Sequence, residues 1–560
     1  MRAIRFFRLS VVCALAFAAR VHAFDLPADF RAAIEQGIAN GRYQGIAIGF
    51  IDRDERGEWT FGAAEPGGAA PTSADAFELG STTRSFTGLL LADAIVARKV
   101  RLDETLGKIF ADIRFADPRL AAATVAELAT HRAGLPTIAP NLFPRSVDDP
   151  YIAYDDRALL GYLAHARLES APGRYLYSDL GVALIGEVVA RATGADYRNA
   201  LARRVLAPLA MTQSGFGAVP RLLDGYRDGI VVPHWQHQAL APAAGLRATL
   251  TDLMKFAAIE LRPEASPLRE AILLARDPRA AAGGGETAIA WQIVPVESDG
   301  QNWPLLWQAG ITGGFASFVG LRTDKQRAVV ILGNAGVDVS LLGLSLLAGR
   351  PAPSAPPKLL PMVAPATLAY EGWYRFDTGG DLVVRATSDG LVAQVTGLLP
   401  QTMSAYDDDA FELAGGMSQL TFQREQTKIA GAILHRHGSH YHAERLSDGA
   451  PTLRRKSSAS SAADLAAFAG DYALSPSMRA RVVVATPGLR VQLTGSVPSF
   501  VQLCAVDRFC DADGTLEVAF ERDAKRKVSG LDWRQGVFEA RAPRDDWAAE
   551  EHENREQDRR

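Results

Sequence analysis

The sequence has few cysteines, no long apolar run after its first residues and no excess of positive charge. Three cysteines among 560 residues exclude a disulfide-rich scaffold. No later segment reaches the roughly 18 apolar residues of a membrane-spanning helix. A formal net charge of −4 argues against a nucleic-acid partner. The chain is therefore expected to be globular, and it is long enough for about three domains.

Residues 1–23 are predicted to be a cleavable export signal. Arginines precede a short apolar run that ends in the small-residue site Val21-His22-Ala23. The run is too short to span a bilayer, and Arg20 interrupts its end, which disfavours a retained anchor. Cleavage removes four arginines and no acid, so the net charge moves from −4 to −8. We expect a periplasmic or secreted protein with no stable membrane insertion.

A proline-rich segment at 351–361 reads as a linker between two regions of different composition. Before it, helical patterns such as 81–96 and 180–192 alternate with strand-like runs such as 328–334, an α/β or α+β pattern. The apolar run 341–348 is expected to be a buried helix packed on a sheet. After the linker, short alternating strands predict barrels or sandwiches.

The second region repeats itself at one constant offset. Residues 390–397 match residues 488–495, and the same offset pairs Tyr374 with Tyr472 and Phe411 with Phe509. We therefore predict two homologous all-β domains of lipocalin-like barrel type. Their core is expected to contain Leu391, Val395, Phe422, Leu489, Leu493 and Phe520.

These patterns predict a definite domain order. The predicted segments are an export signal (1–23), a catalytic domain (24–350), a linker (351–362), a first β-domain (363–447), a second linker (448–463), a second β-domain (464–545) and a charged tail (546–560).

Two cysteines survive in the mature chain, Cys504 and Cys510, on the arms of one predicted hairpin. Export exposes them to oxidising conditions, which favour a disulfide. Two free buried thiols remain the alternative, since the sequence does not give their separation.

Three short motifs could carry chemistry. The first, FELGSTTRSFTG, places Ser81 at a helix start with Arg84 one turn later. The second is YSDLG, which contains Tyr177 and Asp179. The third is WQAGITGGF, a glycine-rich run that opens a strand. Taken singly, each motif is as compatible with a helix cap, a core tyrosine or a glycine-dependent loop.

Together, in this order, the motifs resemble the class C β-lactamase-like superfamily of penicillin-recognising serine hydrolases. The resemblance covers about residues 41–336. It implies a β-lactamase/transpeptidase-like domain with an antiparallel sheet and a helical lobe. The family includes β-lactamases, D,D-peptidases, D-aminopeptidases, amidases and esterases, so the motifs do not specify a substrate. Two trailing β-barrels most resemble the D-aminopeptidase arrangement.

The resemblance implies a role for each motif residue. Ser81 corresponds to the nucleophile, and Tyr177 to the general base that takes its proton and returns it to the leaving group. The backbone N–H groups of Ser81 and Ile311 would form the oxyanion hole. Residues expected to contact the substrate are Asp179, Gln308, Gly310 and Thr312.

The motifs also depart from the family pattern. The lysine of SxxK is Arg84, which stays protonated and can supply only a fixed positive charge. The asparagine of YxN is Asp179, which could pair with Arg84. The lysine or histidine of the third motif is Gln308, a hydrogen-bond donor without charge. These changes leave two hypotheses open, an adapted hydrolase and a protein that binds peptide or cell-wall ligands without turnover.

Histidines occur at three further places. His131, in THRAGLP, is interpreted as structural. The aromatic segment 233–238 could line the cleft or form a surface loop. The segment ILHRHGSHYH predicts a hairpin with a Gly438-Ser439 turn, which sets His437 opposite His440 and His435 opposite His442. Zinc would accept such a set, but a solvated polar face is favoured because no supporting acid is evident.

We therefore expect no metal and no cofactor. The expected partner is a small-molecule or peptide substrate. The sequence leaves open the oligomeric state and a third hypothesis, in which the tandem β-domains are themselves the ligand-binding part.

Overall fold

A computed structural model describes residues 24–146, 148–168, 171–282, 285–298, 300–360, 368–377, 381–387, 390–395, 401–413, 418–436, 439–447, 462–511, 516–535 and 538–545. The predicted export signal, the charged tail and most of the second linker lie outside these residues. Within them, no helix combines the length and the apolar character that crossing a membrane requires.

The region before the linker contains one large antiparallel sheet. Its strands follow the order β2-β1-β12-β11-β10-β9-β8-β7, and two short ribbons pair β3 with β6 and β4 with β5. The strands are β1 (Gly45–Asp52), β2 (Glu55–Gly62), β3 (Ala76–Glu78), β4 (Gly225–Arg227), β5 (Ile230–Val232), β6 (Arg247–Thr249), β7 (Ala280–Ala282), β8 (Gly285–Thr287), β9 (Gln292–Ser298), β10 (Gln301–Ile311), β11 (Ala316–Arg322) and β12 (Arg327–Gly333).

Helices cover both faces of this sheet. They are α1 (Ala28–Ala39), α2 (Thr83–Val96), α3 (Leu106–Ile109), α4 (Pro118–Ala122), α5 (Val125–Ala129), α6 (Asp156–His165), α7 (Asp179–Thr193), α8 (Tyr197–Leu201), α9 (Ala241–Ala244), α10 (Leu250–Leu261), α11 (Arg269–Arg276) and α12 (Ser340–Ala348). The antiparallel sheet and helical lobe confirm the predicted fold class.

Strand alternation explains why both faces are covered. On β12, Val329 and Ile331 join the core beneath α1 and α12, whereas Val330 and Leu332 point into the core of the helical lobe. The predicted buried helix at 341–348 is α12, which packs on this sheet. A continuous apolar strand such as RAVVILG is thus buried on both sides.

The region after the linker forms two closed antiparallel barrels of eight strands each. Barrel 1 consists of β13 (Gly372–Phe376), β14 (Asp381–Thr387), β15 (Gly390–Val395), β16 (Gln401–Asp407), β17 (Ala410–Leu413), β18 (Ser418–Glu425), β19 (Lys428–Arg436) and β20 (Ser439–Ser447). A short helix, α13 (Ala462–Ala466), precedes barrel 2. Barrel 2 consists of β21 (Gly470–Ser475), β22 (Met478–Ala485), β23 (Gly488–Leu493), β24 (Ser499–Ala505), β25 (Arg508–Cys510), β26 (Leu516–Arg522), β27 (Val528–Gln535) and β28 (Phe538–Asp545).

The barrel interiors contain the residues that the alternation predicted. Buried positions include Leu391, Phe422, Leu489, Leu493 and Phe520, and Val395 is partly buried against the same core. The open question about the cysteines is also answered, because Cys504 and Cys510 form a disulfide between β24 and β25.

The predicted pairing of the histidine hairpin is wrong by two residues. His435 pairs with His440, and Ile433 pairs with His442, because Arg436 and Ser439 are the last paired residues. His437 and Gly438 lie outside the described residues. The other three histidines still share the outer face of barrel 1, since Ala432 and Leu434 point into its core.

A buried ion pair joins barrel 1 to the catalytic domain. Arg42 Nη2 lies 2.6 Å from Glu412 Oε1 on β17, and both residues are less than a tenth exposed. Removing one partner of a buried pair leaves an uncompensated charge and costs about 3–5 kcal/mol.

We expect Glu412→Ala to lower the urea concentration at which the first unfolding transition occurs. The matched control is Glu425→Ala, at an exposed position of the same barrel. Equal transition midpoints for the two variants would show that the buried pair does not stabilise the interface.

Barrel 2 contacts the catalytic domain at residues 137–144, which we name the strap. The Thr494 hydroxyl donates to the Pro140 carbonyl at 2.6 Å, and the Gly495 N–H donates to the Leu142 carbonyl at 2.7 Å. Gln492 Nε2 donates to the Pro144 carbonyl at 2.7 Å. Three successive backbone acceptors of the strap thus depend on barrel 2.

Candidate active site

Ser81 lies where β3 turns into α2. The chain leaves β3 through Gly80, whose φ of +50° falls in the left-handed region that favours glycine. A short 3-10 turn, Gly80–Thr82, then runs directly into α2, so Ser81 precedes the helix. Ser81 is partly exposed, whereas Thr82 is buried. The serine is thus held at the positive end of a 14-residue helix.

Ser317 on β11 fixes this turn from the sheet side. Its Oγ lies 2.6 Å from the Leu79 carbonyl oxygen and 2.8 Å from Thr82 Oγ1. Ser317 and Thr82 are both buried, so these hydrogen bonds form away from water. The position of Ser81 is therefore set by the central sheet as well as by its own helix.

The end of β10 approaches the Ser81 turn at main-chain distance. A Cβ atom on Gly310 would lie 2.5 Å from the Ser81 nitrogen, and a Cβ atom on Gly80 would lie 2.9 Å from the Ile311 nitrogen. Glycine at both positions permits this approach. The structure thereby places the two segments that carry the predicted oxyanion-hole donors, Ser81 and Ile311, in main-chain contact.

Tyr177, Asp179 and Arg84 form one polar cluster. The Tyr177 hydroxyl donates to Asp179 Oδ1 at 2.8 Å. Arg84 Nη2 lies 3.4 Å from the same oxygen, and the guanidinium carbon lies 4.3 Å from the centre of the Tyr177 ring. A contact of 3.4 Å exceeds the 2.7–2.9 Å typical of a charge-assisted hydrogen bond. The Arg84 charge is therefore shared between the carboxylate and the aromatic face.

The strap and the start of α7 hold this cluster in place. Thr137 Oγ1 donates to the Tyr177 carbonyl at 3.1 Å, and the Asp179 N–H donates to the Thr137 carbonyl at 3.1 Å. The Ser178 hydroxyl accepts from the Gly181 N–H and so caps α7. Asp179 is thus the first residue of α7, and the cap and the Thr137 hydrogen bond fix its backbone.

Burial perturbs both charges of the cluster. The Arg84 side chain is 6% exposed, and burial lowers its pKa. The negative charge of Asp179 acts in the opposite direction and raises the pKa of Arg84. Burial raises the pKa of Asp179, against the effect of the Arg84 charge. Because the pKa of a guanidinium lies far above working pH, Arg84 stays protonated, whereas Asp179 takes up a proton more readily than an exposed aspartate.

His131 has the structural role that the sequence indicated. Its Nδ1 accepts a hydrogen bond from the Ser178 N–H at 3.2 Å, and its ring lies 5.0 Å from that of Tyr177. Burial and the Arg84 charge lower the pKa of His131 to about 3. The imidazole is therefore neutral, and it supports the Tyr177 backbone.

Gln308 lines a small cavity of about 20 Å³, and Arg84 and His131 line it as well. Its Nε2 donates to the Ala290 carbonyl at 3.1 Å, and its Oε1 has no partner in the described part of the chain. Gln308 is 4% exposed, so it lies beneath the cluster. The structure thus brings Gln308 and Arg84 to one place but ties the amide donor to the backbone.

The aromatic loop 233–238 packs on the glycine-rich run. His234 stacks on Phe315 with ring centres 5.7 Å apart, and Trp235 Nε1 would lie 2.7 Å from a Cβ atom on Gly313. Between them, buried Thr312 donates its N–H to the Phe315 carbonyl. Of the two interpretations that the sequence left open, the structure therefore favours a loop that covers the strand end next to Ile311.

Two residues near the cluster were not foreseen. Tyr151 packs against Trp235 and His237 with ring centres 5.3 Å apart, and burial and the Asp179 charge raise its pKa. Tyr175 lies near Arg84, whose charge opposes the rise in its pKa that burial causes. Single tyrosines in loops carry no spacing signal, so the sequence could not single them out.

Comparison with known proteins places these motifs in a family. The family model described as Beta-lactamase matches residues 30–341. A "Beta-lactamase" of Escherichia coli (strain K12) is 26% identical over 367 residues, which cover 58% of this chain and 94% of the relative. A "Beta-lactamase" of Pseudomonas fluorescens is 23% identical, with coverage of 52% and 88%.

A further relative carries a different name. The "D-alanyl-D-alanine-carboxypeptidase/endopeptidase AmpH" of Escherichia coli (strain K12) is 26% identical over 180 residues, which cover 31% of this chain and 46% of the relative. Among solved structures, "A class C beta-lactamase" aligns with 55% of this chain and 90% of its own, at 19% identity and a TM-score of 0.49. Because the family model covers more than half of the chain, this protein belongs to the beta-lactamase family.

Proposed function

We propose that the protein is an exported serine hydrolase that cleaves an amide or ester through an acyl-enzyme on Ser81. One observation carries the proposal. The segments that carry the main-chain nitrogens of Ser81 and Ile311 are in close contact, beside a partly exposed serine at a helix start. Such paired donors stabilise the oxyanion of acyl transfer, and they remain functional when side chains change.

In the first step, Ser81 Oγ bonds to the substrate carbonyl carbon and releases its proton to the Tyr177 oxygen. Tyr177 already donates its own proton toward Asp179 Oδ1, so that proton moves to the carboxylate. The tetrahedral oxyanion collapses, the bond to the leaving group breaks, and the leaving group takes a proton back through Tyr177. Water then attacks the ester on Ser81, which frees the acid and restores the hydroxyl.

Arg84 and Asp179 together take over the work of the family lysine and asparagine. Arg84 supplies a positive charge but accepts no proton. Asp179 supplies the acceptor, since burial raises its pKa toward the range in which a carboxylate serves as a base. The 2.8 Å hydrogen bond between Tyr177 and Asp179 is the proton path.

The substrate class follows from the relatives rather than from the cleft. We propose D-amino-acid peptides, peptidoglycan fragments, β-lactams or simple esters, because matched relatives are named beta-lactamase and D-alanyl-D-alanine carboxypeptidase. All these substrates present an acyl group to a serine nucleophile. An exported enzyme would meet them outside the cytoplasm, in line with the predicted signal at residues 1–23.

A binding protein without turnover is the second candidate. The same hydrogen bond favours it, because the Tyr177 proton points at Asp179 and not at Ser81. The Arg84 charge also lies against that carboxylate at 3.4 Å. If the proton cannot pass from Tyr177 to Asp179, the cleft binds an acyl ligand but does not react with it.

Intact-mass labelling with a fluorophosphonate probe tests the proposal. We expect one adduct on the wild-type chain and none on Ser81→Ala, because only the residue beside the oxyanion-hole donors is activated. Ser529→Ala, at an exposed serine of barrel 2, is the control and should label like wild type. A folded wild-type chain that never labels, yet retains a penicillin reversibly, would favour the binding protein.

A further inference from the structure

Three histidines share the outer face of barrel 1, and two of them are direct cross-strand partners. His435 on β19 pairs directly with His440 on β20, and His442 is the next residue on the same face of β20. Direct cross-strand partners have Cβ atoms about 4.5–5.5 Å apart, and diagonal partners about 7–8 Å, within reach of long side chains. His440 and His442 are exposed, so solvent ions reach them.

The closest pair already has its ring nitrogens turned toward each other. His435 Nδ1 lies 2.6 Å from His440 Nδ1, with ring centres 4.9 Å apart. Zinc binds imidazole nitrogen at 2.0–2.1 Å, so two nitrogens on one tetrahedral zinc lie about 3.3 Å apart. A small rotation of the exposed His440 ring supplies the difference, and the exposed His442 ring joins the pair only after it turns toward them.

A neighbouring hydroxyl orients one of the rings. Thr421 Oγ1 on β18 lies 3.1 Å from His435 Nε2. If Nε2 carries the proton and donates to Thr421, Nδ1 keeps a free lone pair that faces His440. Ligating histidines usually bind such a partner through their second nitrogen, and this partner fixes the tautomer. The sequence argument against a metal was the lack of a supporting acid, and the Thr421 hydroxyl can orient the imidazole in place of one.

We propose that His435, His440 and His442 form a site for a divalent transition metal of the zinc type. Three histidines leave the fourth position of a four-coordinate zinc for a water molecule. Imidazole ligands suit zinc, copper and nickel, whereas magnesium and calcium prefer oxygen. The site lies on the outside of barrel 1, and it is independent of the chemistry proposed for Ser81.

Zinc binding to the full-length chain tests the proposal. We expect equilibrium dialysis with Zn²⁺ to retain about one ion per chain, and His440→Gln/His442→Gln to lose it. His165→Gln, which removes a histidine from α6, is the matched control and should bind like wild type. Both altered side chains of the double variant are exposed, so its thermal unfolding should match that of wild type.

A second pair of variants distinguishes coordination from nonspecific binding to imidazoles. Thr421→Val should weaken zinc binding about 10–100-fold, whereas Thr421→Ser keeps the hydroxyl and should bind like wild type. Bound Co²⁺ should show the visible absorption of a four-coordinate site. A wild-type chain that retains no zinc would overturn the proposal and leave a hydrogen-bonded imidazole pair only. Equal binding by the double variant would place the metal elsewhere and also overturn it.

Discussion

Replacing Asp179 with asparagine is expected to lower the kcat of ester hydrolysis about 100-fold or more. Asparagine has nearly the same shape and can still accept the Tyr177 hydrogen bond through its carbonyl, so the cluster keeps its geometry. It cannot take up the proton that leaves Tyr177. The loss would therefore reflect proton transfer rather than misfolding, which circular dichroism and thermal unfolding check.

The pH profile provides a second readout of Asp179. The proposed base is the carboxylate, so turnover should fall as pH drops through the pKa of Asp179. A free aspartate has a pKa of about 3.9. Because burial raises the pKa of Asp179, turnover should begin to fall at a higher pH than it would with a free aspartate as the base. If Asp179→Asn instead keeps or raises turnover, Tyr177 works as a phenolate in the manner of the family pattern, and activity should rise with pH as the tyrosine ionises.

Arg84→Lys is the matched variant for the other half of the cluster. It keeps the positive charge, so wild-type turnover or more is expected. If neither the wild type nor Arg84→Lys forms an acyl-enzyme, the protein is not a catalyst and Arg84 is one of the changes that accompany the loss of activity.

Replacing Gly310 with alanine is the second change with a large expected effect. The added Cβ atom would lie 2.5 Å from the Ser81 nitrogen and 2.9 Å from the Gly80 carbonyl carbon, so β10 must move away from the turn. Separating Ile311 from Ser81 dismantles the pair of oxyanion donors. Loss of one such donor typically costs about 10²–10³ in kcat, and we expect a loss of that size.

Gly215→Ala serves as the control for Gly310→Ala. A Cβ atom there would meet only Val219, at an ordinary 3.7 Å, so activity and stability should stay at wild-type values. The measurement is the rate of fluorophosphonate labelling together with kcat. Unchanged labelling in a Gly310→Ala chain of normal thermal stability would show that the approach of β10 does not contribute to acylation.

Local pattern was sufficient to predict the elements, because each is built from a period that the sequence displays. Helix α7 begins at Asp179 with Ser178 as its cap, one residue from the predicted start. The alternation of apolar residues correctly predicted five barrel core positions. The predicted pairing of the histidine hairpin was wrong by two residues, since Gly438 fits either of two turn positions and only the pairing of the flanking residues decides between them.

The site was less accessible from sequence, because its contacts join distant segments. Motif spacing brought Ser81, Arg84, Tyr177 and Asp179 to attention. It could not show that the Tyr177 hydroxyl donates to Asp179, which depends on two side-chain torsions. It also gave no sign of Tyr151 or of the strap, because their contacts join residues far apart in the sequence and leave no local period.

The strap makes barrel 2 a structural part of the catalytic apparatus. Thr137, at one end of this segment, holds the main chain of Tyr177 and Asp179, while the carbonyls of Pro140, Leu142 and Pro144 accept hydrogen bonds from barrel 2. A fragment that ends at the proline-rich linker would return those three acceptors to water. The shortest fragment that preserves the site is therefore expected to extend through barrel 2. A fragment cut at the linker would lack the hydrogen bonds from barrel 2 to the strap, so its activity would not report on the intact site.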